Sequence, residues 1–326
     1  MKSRNILPAF LGAAGMLVLV LDSRRALAGM REGIEICLEV LIPSLFPFFV
    51  LSGYLTGNLM RTDLKFLGPV GRLCGIPRGA ECLLVTGFLG GYPVGAQNVA
   101  MAWRRGQVSR EDAARMLMFC SNAGPAFFFG VIGQAFDDPK VPWGLWGIHM
   151  LSALLVGALG RPTVQPAPVV VSRSSVSLPD ALRQALSAMA QVCGWVVLFR
   201  MLLTYLEGWF LWLLPRDWQI IAGGILELAN GCVRLREIDS EPLRFVVASA
   251  LTALGGVCVT MQTVSVARGL PMGGYLRGKL LQSCLSVVLA WCVIRKLYFL
   301  WIPVLVLLFL PRKSEKNSSF PTGVGV

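Results

Sequence analysis

Thr86-Gly-Phe-Leu-Gly-Gly-Tyr-Pro-Val-Gly-Ala-Gln-Asn98 interrupts an otherwise apolar run between residues 79 and 103, and Cys120-Ser-Asn-Ala-Gly-Pro125 does the same within 111–136. Runs of this length match the hydrocarbon core of a bilayer, which a helix of about 20 residues crosses. Glycine and proline stop the helix part-way along each run. A broken helix in hydrocarbon strands backbone N–H and C=O groups at several kcal/mol apiece, so such breaks persist only where protein covers them or where they line a polar cavity. The two interruptions therefore bear on the fold and on the functional site together.

Working outward, the composition agrees. The 326 residues are 55% hydrophobic and only 15% charged, with a mean hydropathy of +0.65. That balance lies beyond soluble globular domains. The chain reads as an all-α polytopic membrane protein of the bacterial cytoplasmic membrane, its surroundings the lipid bilayer. A net charge of +12 would suggest nucleic acid in a soluble domain. Here the Lys and Arg residues fall in short connections and form no stripe interleaved with aromatics, so they set topology and no nucleic-acid partner is expected. Nine cysteines lie scattered without a C-x-x-C pair, and His149 is the one histidine. They read as small buried thiols and a core histidine, with no metal and no cofactor expected.

Apolar stretches fall at 5–21, 34–57, 79–103, 111–136, 142–160, 185–214, 218–235, 243–267, 280–294 and 297–311. Lys2 and Arg4 before the first stretch and Ala26-Leu27-Ala28 after it suggest a cleavable signal, but Arg24 and Arg25 lie between core and cut and favour a retained helix. A polar linker at 161–178, with Pro162, Pro166 and Pro168, divides an N-terminal membrane repeat (1–160) from a C-terminal one (179–311). Residues 312–326 read as a disordered tail. If 79–103 crossed the membrane, Arg61, Lys65, Arg72 and Arg78 would lie opposite Arg104, Arg105 and Arg110, against the positive-inside bias. A hairpin entering and leaving on one side removes the conflict, because half-helices of about ten residues reach about 15 Å, half the hydrocarbon depth. The stretch 218–235, too short to span and containing Gly223-Gly224 and Asn230-Gly231, reads as a second hairpin. On this topology Arg277 and Lys279 lie in an inner loop and Arg24, Arg25 and Arg31 in an outer one. The whole is about eight transmembrane helices plus two re-entrant helical hairpins, each followed by an interrupted span (111–136 and 243–267), in an inverted repeat around a midplane site.

The runs Thr86 to Ala96, Gly106-Gln-Val-Ser-Arg-Glu-Asp-Ala-Ala-Arg-Met-Leu-Met-Phe-Cys-Ser-Asn-Ala-Gly-Pro125 and Leu226-Glu-Leu-Ala-Asn-Gly231 resemble the nucleoside-recognition, or Gate domain, membrane proteins. The resemblance covers residues 35–270 and is closest to the branch of sporulation integral membrane proteins, one of which is a proposed carrier of dipicolinate. It implies secondary transport more securely than it implies a substrate. In that branch a lysine often follows the Gly-Ala pair; Gln97 holds that place here.

The residues point to the same chemistry. Pro93 and Pro125 each fall where a second half-helix would begin, the first helical position that proline tolerates best. Each new N-terminus would present free N–H groups and about half a positive charge, suited to a carboxylate or phosphate. Tyr92, Pro93, Gln97, Asn98, Ser121, Asn122 and Gly124 from the first half, with Glu227, Asn230 and Gln262 from the second, are the candidate substrate-binding residues. Glu227 within an apolar run reads as a coupling group for H+ or Na+, as a ligand for a polar base, or as a salt-bridge partner of Arg234 or Arg236. Arg200 either lines the site or neutralises Glu207 or Glu227. Trp143, Trp146, Trp209, Trp212, Trp218 and Trp301 read as an interfacial belt. No P-loop, dinucleotide fingerprint or nucleophile–base pair is present, so no enzyme is expected. The expected function is a secondary transporter or permease of a small polar, anionic or heteroaromatic solute. The alternative is a non-transporting scaffold or accessory subunit of a membrane or spore-envelope complex, and the oligomeric state stays open.

Overall fold

Backbone that cannot reach water must bond to itself, and a helix does so within one segment. Among the described residues of the computed structural model (7–59, 64–162, 166–169 and 176–297), all regular structure is helical. The stretch expected at 297–311 and the tail at 312–326 lie, but for Leu297, outside the described residues.

Helix α1 (Leu7–Leu21) ends at Asp22, whose carboxylate accepts from Arg25 N at 3.3 Å and starts α2 (Ser23–Ile36). A π turn at Cys37–Leu41 carries α2 into α3 (Ile42–Leu59). Arg24, Arg25 and Arg31 thus lie on a helix and not in the expected outer loop. Asp22 caps it and also pairs with Arg25 at 3.1 Å, and the Ala, Leu, Met and Glu content favours a helix. Next come α4 (Gly68–Leu73), α5 (Cys82–Leu89), α6 (Val94–Arg104), α7 (Arg110–Met116), α8 (Pro125–Gly130) and α9 (Val141–Leu159). Ser109 caps α7 by accepting from Asp112 N at 3.0 Å. The described parts of the linker are not helical, and Val169 N donates to Arg78 O at 2.9 Å. Ser177 then caps α10 (Leu178–Trp209), followed by α11 (Arg216–Leu226), α12 (Leu228–Val233), α13 (Glu241–Leu254), α14 (Gly256–Val266) and α15 (Gly273–Ile294). Among the described residues, five stretches are long and apolar enough to cross a membrane: Ser23–Leu55, Val141–Leu159, Leu178–Trp209, Glu241–Val266 and Gly273–Ile294. Trp143, Trp209, Trp212 and Trp218 are exposed, whereas Trp146 is half-buried.

The order of elements repeats. A long helix, a pair of short helices, an interrupted helix and a long helix occur as α3, α5–α6, α7–α8, α9 and again as α10, α11–α12, α13–α14, α15. Glycines close each short pair. A Cβ on Gly95 would lie 3.0 Å from Gly87 Cα, and one on Gly231 would lie 2.2 Å from Gly224 Cα. The second pair therefore turns at Glu227, between its glycines, which act as contact points where backbones meet. Each interrupted helix lays its break on the tip of the pair before it. Gly124 packs on Gly91, and Gly256 on the carbonyl oxygens of Gly224 and Ile225. At Gly255 (φ 76°) the left-handed backbone needs glycine.

The last described helix begins earlier than hydropathy suggests. It starts at Gly273, so Lys279, expected in an inner loop ahead of 280–294, lies inside α15 and is buried.

Candidate functional site

The tip of the first pair is a turn through Gly91, Tyr92 and Pro93, with Tyr92–Pro93 a cis peptide. Helix α6 begins at Val94, so Pro93 is its N-cap and not its first helical residue as expected. Pro125 does open α8, but that helix gives way to a 3-10 turn after six residues, too short to build much of a dipole. Positive charge at this break has another source.

That source is Lys279. Its Nζ donates to the main-chain oxygen of Ser121, to Gln282 Oε1 at 2.7 Å, to Tyr92 Oη at 3.2 Å and to Asn122 Oδ1 at 3.5 Å. It also lies 5.2 Å from the centroid of the Tyr92 ring. Gln282 Nε2 donates to Asn122 Oδ1 at 3.1 Å and to His149 O at 3.3 Å, while Asn122 Nδ2 donates to Phe119 O at 2.6 Å. Ala123 N donates to His149 Nε2 at 3.1 Å, which places the imidazole proton on Nδ1. The unwound stretch before Pro125 thus releases backbone groups that this cluster takes up. Tyr92 Oη donates in turn to Thr252 O at 3.2 Å in α13, tying the first tip to the second interrupted helix. Lys279 is only 2% exposed, and no carboxylate among the described residues pairs with it. An ammonium here therefore has only neutral acceptors and no counter-charge among the described residues.

At the other tip Glu227 caps α12. Its Oε1 accepts from Ala229 N at 3.1 Å, and its Oε2 accepts from Asn230 N at 2.6 Å and Asn230 Nδ2 at 2.7 Å. It is 2% exposed. The expected bridge to Arg234 or Arg236 does not form, because those arginines have nearer carboxylates. Arg234 meets Glu237 at 3.0 Å and Glu207 at 3.3 Å, and Arg236 meets Asp137 at 2.6 Å. Arg200 neutralises Glu207 at 3.1 Å and also pairs with Glu32. Arg216 adds Glu237 at 3.3 Å, so a relay of charges joins α2, α10 and the second pair. The hydrogen bond from Arg234 holds the Glu237 carboxyl below its ordinary range. At the end of α6 and the start of α7 the arginines choose carbonyls instead: Arg104 donates to Val266 O at 2.8 Å and Arg110 to Gly269 O at 3.0 Å.

Tyr92, Ser121 and Asn122 thus come together, but around an unforeseen Lys279 and Gln282. Glu227 and Asn230 form a separate pair, and Gly124 serves as a contact surface. Gln97 and Asn98 stand apart from both. They line a cavity of about 70 Å³ with Arg105, Gln107 and Gln184. Gln262 is isolated, donating only to Cys258 Sγ at 3.3 Å. A sequence signal for the missed residues did exist. Tyr275, Lys279, Gln282 and Ser286 recur at helical spacing along α15 and are all buried, a polar stripe on an otherwise apolar helix.

Among known proteins, the chain is similar to the sporulation integral membrane protein YlbJ of Bacillus subtilis (strain 168), 24% identical over 83% of this chain and 78% of that protein. No family model and no solved structure matches it. The buried polar clusters, the apolar helices and this similarity together describe a multi-pass integral membrane protein related to a sporulation integral membrane protein.

Proposed function

We propose that the chain is a secondary transporter or permease of small polar, anionic or heteroaromatic solutes in the bacterial cytoplasmic membrane, with pyridine dicarboxylates of the dipicolinate type among them. The observation that carries this reading is Lys279, a cation buried at a helix break with only neutral oxygens for partners. An anion arriving there gains an interaction that water does not match in a low-dielectric surrounding. Lys279 also brings to the first tip, from another helix, a positive charge of the kind that the resembled branch places after Gly-Ala and that Gln97 lacks. In this reading α5–α6 and α11–α12 are re-entrant hairpins of an inverted repeat, and H+ or Na+ drives one half against the other around the tips.

Thermal stability of the detergent-purified protein tests it against dipicolinate, nucleosides, nucleobases and simple dicarboxylates, with Asn122→Ala and Glu227→Ala alongside. One ligand class is expected to raise the midpoint by several degrees, and Asn122→Ala to erase that shift. Indifference of the wild type to every ligand, together with no uptake into liposomes, would favour the scaffold reading.

A further inference from the structure

The partners of Lys279 Nζ are a main-chain carbonyl oxygen, two side-chain amide oxygens and a phenol oxygen. All are neutral, hard acceptors, and the carbonyl comes from unwound backbone. Unwound carbonyls with amide and hydroxyl oxygens are what membrane carriers use to strip and hold an alkali-metal ion. We propose that these oxygens, from Ser121, Gln282, Tyr92 and Asn122, form a monovalent-cation site that the chain fills with its own ammonium, and that removing the ammonium opens the site to Na+.

Charge and burial both point this way. The cage has no carboxylate, so its occupant sets its charge, and a monovalent ion reproduces the present state where a divalent ion would add an uncompensated charge. The titratable groups facing Nζ are Tyr92 at the α5–α6 tip, Cys120 in the unwound stretch and His149 on α9, with Tyr275 of α15 itself beside Tyr92. None is an acid of the kind that would hold Ca2+. Gln282 is locked into the cage by its donation to His149 O and Asn122 Oδ1, so Oε1 stays turned toward the cation when Lys279 is changed. The site is full in this chain, which therefore has no Na+ requirement there. This deepens the transport reading, on which it rests only for its bearing on the coupling ion.

The test uses no solute, so its failure and that of the transport reading are separate. The decisive variant is Lys279→Met, which keeps the volume of the stem and vacates only the position of Nζ; Lys279→Ala is the second. Thermal midpoints of purified wild-type and variant proteins are compared in NaCl and in equal choline chloride. The wild type is expected to show no difference. Lys279→Met is expected to gain several degrees in NaCl, saturably, and the gain is expected to vanish when Gln282→Ala is added. A Na+ response equal in wild type and variants, or none in either variant, overturns the proposal. So does failure of both variants to fold in NaCl, because Na+ is expected to replace the missing charge.

Discussion

Lys279→Ala, reconstituted in liposomes in choline buffer, is expected to take up the stabilising solute at least about 100-fold more slowly than wild type. A hydrogen bond to a charged group contributes about 1.5–3 kcal/mol, and about 2.7 kcal/mol corresponds to about 100-fold in an equilibrium constant. The substitution also leaves acceptors unpaired: the Ser121 carbonyl and Gln282 Oε1 lose their strongest donor within a fully enclosed space. Lys279→Arg is expected not to restore uptake, since a planar fork does not fit acceptors arranged around one point. Uptake of Lys279→Ala within a few-fold of wild type, in protein shown to be folded by its thermal transition, would remove the central support of the transport reading.

Gly231→Ala carries the largest expected effect on stability. The added methyl would sit 2.2 Å from Gly224 Cα and 2.7 Å from Gly224 N, against main chain that no rotamer change can move. Helices α11 and α12 must part, and the packing of Leu251 over Gly224 parts with them. Overpacking of this kind costs about 3 kcal/mol, and more where backbone meets backbone. The expected result is loss of most folded protein from the membrane fraction, or a thermal midpoint lowered by about four degrees or more, roughly what 3 kcal/mol or more produces in a chain of this length. Gly147→Ala is the matched control, because a Cβ there meets nothing within 4 Å and alanine is the better helix former. Equal midpoints for the two variants would show that the glycine contact does not hold the second pair closed.

The features read correctly from sequence are those whose cause is local. The breaks at Gly91, at Pro125 and at Gly255 follow from residues that themselves end a helix, and Glu227 announced its tip by being an acid in an apolar run. The features missed depend on distant partners. Hydropathy puts Lys279 in a loop because positive charge next to an apolar stretch belongs there by default, and its compensating oxygen at Ser121 lies 158 positions away. The same reason puts Arg31 and its neighbours in a loop. The pair that lets α2 continue as a buried helix face, Glu32 with Arg200, spans 168 positions. Gln262, a polar side chain near a break, turns along its own helix to Cys258.

Along the relay from Arg200 through Glu207, Arg234 and Glu237 to Arg216, side-chain exposure rises from 11% at Arg200 to 68% at Arg216, while Glu32 on the other side of Arg200 is half exposed. Dissolved salt screens exposed ion pairs over a Debye length of about 8 Å under physiological conditions and less at higher concentration, while short arginine-to-carbonyl contacts such as Arg104 to Val266 depend on it less. Rising ionic strength therefore loosens the contacts around α11–α12 before those around α6–α7. Hydrogen exchange at 234–237 is expected to quicken between low and high salt while exchange at 104–110 holds steady. Salt alone would thereby change how firmly residues 234–237 are held, without any ligand at all.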